Sequence, residues 1–330
     1  MGRFLNVGII QMRAYEDTVE SLKTLEKALD RIMAQYHRPE LVVGVECIQC
    51  NTPEPIPGPT SDYFASLAKK YGIYFIPGTV YESAPDLPEG MSYNTAPVYN
   101  PNGELIEKYR KIAPWYPWEE AAKSGDRCVV FEIPEKNTKV GVQICYDLNY
   151  PEISRTEMLM GAEVLVKLTM DPYEIYDINK HVHYTRALEN QAFLVCSNCV
   201  GNYGAFTMYG HSQVISPEGH LLWEGDQEET IATVTIDLDE VTRCREYGSK
   251  FMDHYVQHLK LFNPPQPYAH DLDSAPVYKN LSEPEVNTQQ YQERLEKDGV
   301  LQMGKRVILD PPVKMYRENL DAFLKAKGFL

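Results

Sequence analysis

No apolar run in this 330-residue sequence approaches the roughly 20 residues that a helix needs to cross a bilayer, so no membrane-spanning helix is expected. A basic block is missing too. The 47 acidic side chains outnumber 32 basic ones for a formal net charge of −15, which argues against a nucleic-acid or anionic-lipid partner. The opening MGRFLNVGIIQM has no charged region followed by a continuous apolar stretch and a small-residue cleavage site. Asn6 also breaks the myristoylation pattern, so neither a leader nor a lipid anchor is expected. The 7 cysteines are odd in number and make no dense framework, which points to reduced thiols in a cytoplasmic protein rather than to disulfides. There is no glycine-rich phosphate loop, metal motif or flavin signature, so no cofactor is implied.

What is present is enough apolar sequence, 43%, for a large core. NVGIIQM reads as a strand; Leu22, Leu25, Leu29, Ile32, Met33 and Tyr36 then recur at helical spacing before the β-rich run ELVVGVE. DYFASLAKKYG predicts a helix, IYFIPGTVYE a strand, and YNTAPVYNPNGELIEKYRK a hairpin turning at Asn102 and Gly103. The alternation then recurs, with KVGVQIC, AEVLVKL and FLVCSNCVG as strands and YPEISRTEMLMG and INKHVHYTRALENQA as helices. HSQVISPEGHLLWEG predicts a second hairpin, and TIATVTIDL precedes a helix expected from Glu240 to about Lys260. Strands alternating with amphipathic helices mean layers of α and β, with helices covering the sheets. One domain over residues 1–262 is expected, followed by a proline-rich, polar arm over 263–330.

Two side chains stand where apolar strands end, the usual place for a site in such folds. Glu46 closes ELVVGVE, and Cys145 closes KVGVQIC on a strand-to-helix turn. A third, Lys111, follows a hairpin strand and heads the aromatic, proline-rich loop IAPWYPWEE. A thiol of ordinary pKa is mostly protonated at neutral pH, so a cysteine nucleophile needs a carboxylate to take its proton and a cation to hold the negative charge. Glu46 and Lys111 are of the required types. The helix opening near Pro151 is expected to place its positive end near the thiol.

An acid at the end of the second strand, the lysine of YRK, a strand-end cysteine followed by YD and NYPE, and a later RALENQ together resemble the nitrilase, or carbon-nitrogen hydrolase, superfamily. The aliphatic amidase and formamidase branch is most similar, through the pattern KI.PW.P.E after the lysine and NYPEI.R after the cysteine, within a resemblance covering roughly residues 4–260. The resemblance implies an αββα four-layer sandwich of α/β class that pairs into a larger layered dimer. It implies cleavage of a small amide through a thioester on Cys145, giving a carboxylic acid and ammonia. Glu46 would move the proton, Lys111 and the backbone N–H of Tyr146 would receive the oxyanion, and Glu119 would position the substrate nitrogen or the hydrolytic water. Trp115, Tyr146, Thr169 and Met170 would contact substrate.

Two departures bear on the substrate. Cys47 stands where aliphatic amidases have Tyr, and LTMDPYE, residues Leu168 to Glu174, replaces their glycine-aromatic stretch. An N-carbamoyl compound or a nitrile would use the same triad, although CYD in place of CWE disfavours a nitrile. A rival from another class is a zinc-binding structural protein using the two CxxC pairs Cys47/Cys50 and Cys196/Cys199. A cysteine–histidine hydrolase using His181, His183 or His211 is a further alternative. The arm's apolar residues Tyr268, Val277, Tyr278, Leu281, Val307, Ile308, Leu309, Met315, Tyr316, Leu320, Phe323 and Leu324 are costly to leave in water. Burial against a second subunit is expected, in a homodimer or a higher oligomer built from dimers; folding back over the arm's own domain is the alternative.

Overall fold

Apolar alternation along the strands and one-sided apolar faces on the helices generate the architecture seen in a computed structural model, which describes residues 2–204, 206–262, 271–278, 281–299 and 313–330. The first half contains β1 (Phe4–Gln11), α1 (Thr18–Met33), β2 (Leu41–Glu54), α2 (Pro59–Tyr71), β3 (Tyr74–Glu82) and the hairpin β4 (Tyr93–Tyr99) and β5 (Leu105–Arg110). The second contains β6 (Val130–Ile133), β7 (Thr138–Ile144), α3 (Pro151–Leu159), β8 (Val164–Thr169), α4 (Tyr176–Asn190) and β9 (Phe193–Asn198). After these come the hairpins β10 (Val200–Tyr203) with β11 (Phe206–Tyr209) and β12 (Gln213–Ile215) with β13 (Leu221–Glu224), then β14 (Thr230–Asp237) and α5 (Asp239–Tyr247). Short α6 (Leu259–Phe262), then α7 (Thr288–Lys297) and α8 (Val313–Ala326), lie in or next to the arm.

Helix boundaries follow local chemistry. Asp17 caps α1 by accepting the Val19 N–H at 2.9 Å, and α2 opens on Pro59, where a missing N–H does no harm. Apart from β10 and β11, which pair only with each other, the strands form two six-stranded sheets of order β14-β1-β2-β3-β4-β5 and β13-β12-β9-β8-β7-β6. Each has three parallel strands at its centre, β1 to β3 and β7 to β9, with antiparallel strands outside them. Because strand side chains alternate, Val43, Ile76 and Val98 point inward to meet Val142, Val166 and Val195 of the other sheet. Their neighbours Val42 and Phe75 point outward onto Leu22, Leu25 and Leu29 of α1 and Phe64 of α2. On the far side, Leu165 and Leu194 pack under Ala187 of α4. The order of layers is helix, sheet, sheet, helix.

Three expectations are corrected. The helix expected from Glu240 to about Lys260 stops at Tyr247, because Gly248 turns the chain with φ +83° and Ser249 and Asp253 then pair as a bridge. Gln191 secures that break by donating to the carbonyl oxygens of Cys244 and Asp253. Strand β2 does not end at Glu46 but runs on to Glu54 through an irregularity at Cys47, whose φ is 59°. Within the arm, Tyr316, Leu320 and Leu324 are buried in their own chain, and α8 packs on α1, β2 and α2. Val277, Tyr278 and Leu281 are exposed, while Tyr268, Val307, Ile308, Leu309 and the side chain of Met315 lie outside the described residues.

The packing of α8 is testable. Leu324→Ala deletes a fully buried side chain and should lower unfolding stability by about 2–5 kcal/mol in urea titrations followed by circular dichroism. An unchanged midpoint would show that α8 contributes nothing to the core.

Candidate active site

The site grows out of an irregularity within β2 and the ends of β5 and β7. At Gly44 a Cβ would lie 2.0 Å from the Pro77 carbonyl oxygen, so only glycine lets β2 approach β3 this closely just ahead of Glu46. The irregularity at Cys47 then leaves the Glu46 carboxylate pointing between the sheets, 3% exposed. Lys111, 1% exposed, follows β5, and its backbone is clamped by its N–H to the Asn94 carbonyl at 2.8 Å and by the Gly125 N–H to its own carbonyl at 2.7 Å. Its ammonium reaches Glu46 Oε1 at 3.0 Å and Glu119 Oε2 at 2.6 Å. One Asn94 amide nitrogen donates to both carboxylates, at 2.9 and 3.0 Å. The Met170 N–H fills Glu46 Oε2 at 2.9 Å, and the Trp115 N–H donates to Glu119 at 2.6 Å.

Cys145 starts a 3₁₀ turn, Cys145–Asn149, directly after β7, with a φ of 51° that few non-glycine residues adopt. That turn separates the thiol from α3, so the positive helix end expected beside Cys145 begins six residues later, at Pro151. What holds the turn is Asp147. Its carboxylate accepts the Ile144 N–H at 3.0 Å, the Ala113 N–H at 2.7 Å and the Tyr109 hydroxyl at 2.8 Å, which ties the cysteine turn to the lysine loop. Burial pushes this carboxyl up to about 6. The Cys145 thiol donates to Asp171 Oδ1 at 3.4 Å, and Asp171 in turn pairs with Lys167 at 2.5 Å.

Electrostatics separates the two glutamates. Burial, only partly offset by Lys111, raises Glu46 above the ordinary carboxylate range. For Glu119 burial acts the same way, but Lys111 and the Trp115 and Asn94 donors outweigh it and hold the group ionised, below its usual value. Environments that push paired acids apart are how proton-shuttling and permanently charged roles are divided. Burial, and next to it Glu46, lift the Cys145 thiol well above its usual value, so it rests protonated. Lys111 stays charged: burial opposes this, but Cys145, Glu119 and Glu46 outweigh it.

Glu46, Lys111, Glu119 and Cys145 form the floor of a cavity of about 810 Å³. Of the expected contact residues, Trp115 and Met170 line it; the Thr169 side chain is buried elsewhere, and Tyr146 packs its ring edge-on against Tyr150. Sequence reasoning missed Asn94, Asp147, Lys167 and Asp171, and it missed an aromatic wall in which Phe206 lies 5.9 Å from both Trp115 and Trp118. It also missed α7, whose Thr288 donates to Glu120 and to the Pro117 carbonyl and whose Gln289 and Gln292 line the mouth. Only Asp147, in CYD, carried a signal, through its place beside the cysteine.

The histidine alternative does not form. His183 touches Lys167 and Gln213, His211 pairs with Glu224, His181 is exposed, and none lines the cavity. Among the described residues no three His, Cys, Asp or Glu side chains are grouped to hold a metal. Cys47 and Cys50 line the cavity wall, whereas Cys196 and Cys199 are buried outside it.

The carbon-nitrogen hydrolase family model matches residues 6–246. The chain belongs to the carbon-nitrogen hydrolase family. The hydrolase is 31% identical over 208 residues to omega-amidase NIT2 of Xenopus tropicalis, covering 58% of this chain and 72% of the relative. It is 30% identical over 229 residues to the formamidase of Bacillus thuringiensis (strain Al Hakam), covering 66% and 67%. Among solved structures, Saccharomyces cerevisiae Nit3 superposes with a TM-score of 0.67 at 24% identity over 74% of this chain and 94% of that one. A cysteine-to-alanine mutant of the amidase from Nesterenkonia sp. AN1, in complex with butyramide, gives 0.63 at 21% identity over 74% and 95%. The hydrolase therefore acts on carbon–nitrogen bonds other than peptide bonds.

Asp147 offers a test of how the site is braced. Asn in its place must turn an N–H toward either the Ile144 or the Ala113 N–H, leaving one buried donor without a partner. Asp147→Asn should cost about 1–3 kcal/mol of unfolding free energy in urea titrations. It should also lower turnover, because the cysteine and lysine segments lose their common anchor.

Proposed function

We propose that this hydrolase cleaves a small amide through a thioester on Cys145, releasing ammonia and then a carboxylic acid. The observation that carries the reading is a buried lysine held between two glutamates of opposite pKa shift, beside a buried thiol at the floor of one cavity. Glu46 takes the thiol proton as sulfur adds to the carbonyl carbon, and the Lys111 ammonium and the Tyr146 N–H receive the charge on oxygen. Glu46 returns the proton to the nitrogen as the carbon–nitrogen bond breaks, freeing ammonia. Water then gives a proton to Glu46 and adds to the thioester, and the proton goes back to sulfur as Cys145 leaves. Glu119 keeps its charge throughout and holds Lys111 in place. Asn94, which bonds both acids, positions them relative to each other.

The acyl group is read further out. The cavity is within the range of sites for drug-sized ligands and is lined by Tyr81, Trp115, Trp118, Phe206 and Met208, with α7 at its edge. That supports amides bulkier than the smallest. We also propose assembly as a homodimer or a dimer-based oligomer, supported by exposed Phe251, Met252, Leu261, Phe262, Val277 and Leu281 around the start of the arm. Light scattering that finds a monomer would refute it.

Ammonia release from a panel of amides, N-carbamoyl compounds and nitriles tests the reaction directly. Cys145→Ala should abolish it with the circular dichroism spectrum unchanged, while Glu46→Gln and Lys111→Ala should each lower kcat by at least about two orders of magnitude. An acyl adduct should be trapped on Cys145 by mass spectrometry; an adduct on another residue would overturn the route. Because Glu46 is raised, the acid limb of kcat/KM should lie above the ordinary carboxylate range, with activity falling as pH drops through it. Gln289→Ala or Gln292→Ala should raise KM roughly two- to tenfold for longer acyl chains, the worth of one hydrogen bond, and leave the shortest amides unaffected.

A further inference from the structure

A buried ionic cluster behind the nucleophile has no part in the steps above. Lys167 on β8 and Asp171, four residues later, are at most 1% exposed, and their ion pair spans 2.5 Å. Tyr209 on β11 donates its hydroxyl to Asp171 Oδ2 at 3.2 Å, and the Asp171 N–H is fixed by Asn198 Oδ1 at 2.9 Å. Beyond Lys167 lies His183 on α4, its Nε2 at 3.1 Å from the ammonium and its Nδ1 at 2.9 Å from Gln213 Oε1. Nε2 must accept from a permanent donor and Nδ1 must donate to an acceptor, so one neutral tautomer satisfies both contacts. Burial, and then Lys167, depress this imidazole to about 3. Cys196 on β9 stands 4.0 Å from the same ring nitrogen.

Such a pair is poor value for stability, since removing two charges from water offsets most of their attraction. Its position suggests another use. The remaining Asp171 oxygen, Oδ1, receives the Cys145 thiol at 3.4 Å, whereas both oxygens of Glu46 already hold donors from Lys111, Asn94 and Met170. The thiol hydrogen bond therefore goes to Asp171 and not to Glu46.

We propose that Asp171, anchored by Lys167 and Tyr209, holds the resting Cys145 thiol protonated and so keeps the thiolate scarce until substrate is bound. The proposal rests on Cys145 being the nucleophile. The charged groups facing the thiol are Glu46 from β2, Lys111 from the end of β5, and Lys167 and Asp171 from β8 and its exit, with Glu119 behind Lys111 and Asp147 in the cysteine's own turn. Among them, Asp171 disfavours the thiolate and Lys167 favours it. Burial alone would raise Asp171, but Lys167 holds it at about 2, so it remains an acceptor and not a base across the working range of pH.

The test is the pH dependence of Cys145 alkylation by iodoacetamide in the substrate-free enzyme, read by mass spectrometry of the peptide that carries Cys145. Asp171→Asn removes the negative charge and leaves Lys167 facing the thiol, so the midpoint should move down by about one pH unit, roughly tenfold more thiolate at neutral pH. Lys167→Gln removes a cation that favours the thiolate, and the midpoint should move up. Tyr209→Phe keeps both charges, removes one donor from Asp171, and should move it up by less. A merely structural role would shift none of these midpoints in opposite directions. An unmoved or raised midpoint in folded Asp171→Asn overturns the proposal. Should Asp171→Asn fail to fold, unmoved midpoints in both Lys167→Gln and Tyr209→Phe do the same. The measurement needs no substrate, so failure to release ammonia from any amide would sink the reaction proposed above without altering this readout.

Discussion

Lys111 is an ammonium taken out of water and compensated by two carboxylates, and the site depends on that compensation. Removing one such charge from water costs several kcal/mol, so the lysine can stay buried and charged only if Glu46 and Glu119 remain within hydrogen-bond reach. Those two acids in turn would repel each other without it. The three are mutually required, with Asn94 fixing the spacing of the carboxylates from one amide nitrogen. The same arrangement makes the acids unequal: burial outweighs Lys111 at Glu46, which is left readier to take a proton, whereas at Glu119 Lys111 and the Trp115 and Asn94 donors outweigh burial and keep it charged.

Holding this unit against the thiol is the task of the sandwich. Glu46 comes from the first sheet, Cys145 from the second, and Lys111 from the loop that crosses between them, so these side chains meet only because the valine-rich inner faces pack together. Asp147 makes the junction rigid by accepting donors from the cysteine turn, the lysine loop and β5 with one carboxylate. Asp171, paired with Lys167, accepts the hydrogen bond of the thiol. The Cys145 thiol thus lies near two ion-paired groups, Lys111 with Glu46 and Lys167 with Asp171.

The arm changes what the cavity is. The family match ends at residue 246, yet Asn287, Thr288, Gln289, Gln292 and Tyr316 line the opening, and Trp118 packs edge-on to Tyr291 at 6.3 Å. The floor of the cavity belongs to the family domain, while part of the rim is supplied by sequence beyond it.

Hydrophobic periodicity determines most of the elements, because a side chain's burial is repeated every two residues on these strands and at helical spacing on these helices. Glu46, Lys111 and Cys145 were legible for a related reason: strand ends and the loops after them are where a polar residue following an apolar run is conspicuous, and the motif order did the rest. Glu119 was legible only through the family resemblance. Tertiary structure decided what periodicity cannot carry. Asn94 lies in an ordinary strand and Asp171 in the irregular segment after β8, and each becomes part of the site only through partners 25 to 48 and 26 residues away. The short strands β6, β10 and β11 are too brief for a pattern, and the break after Tyr247 depends on a glutamine 53 to 62 residues earlier in the chain. Whether an apolar helix such as α8 covers its own core or another surface is not written in its amphipathic face, since any apolar surface removes it from water equally well; contact with α1, β2 and α2 settles it here.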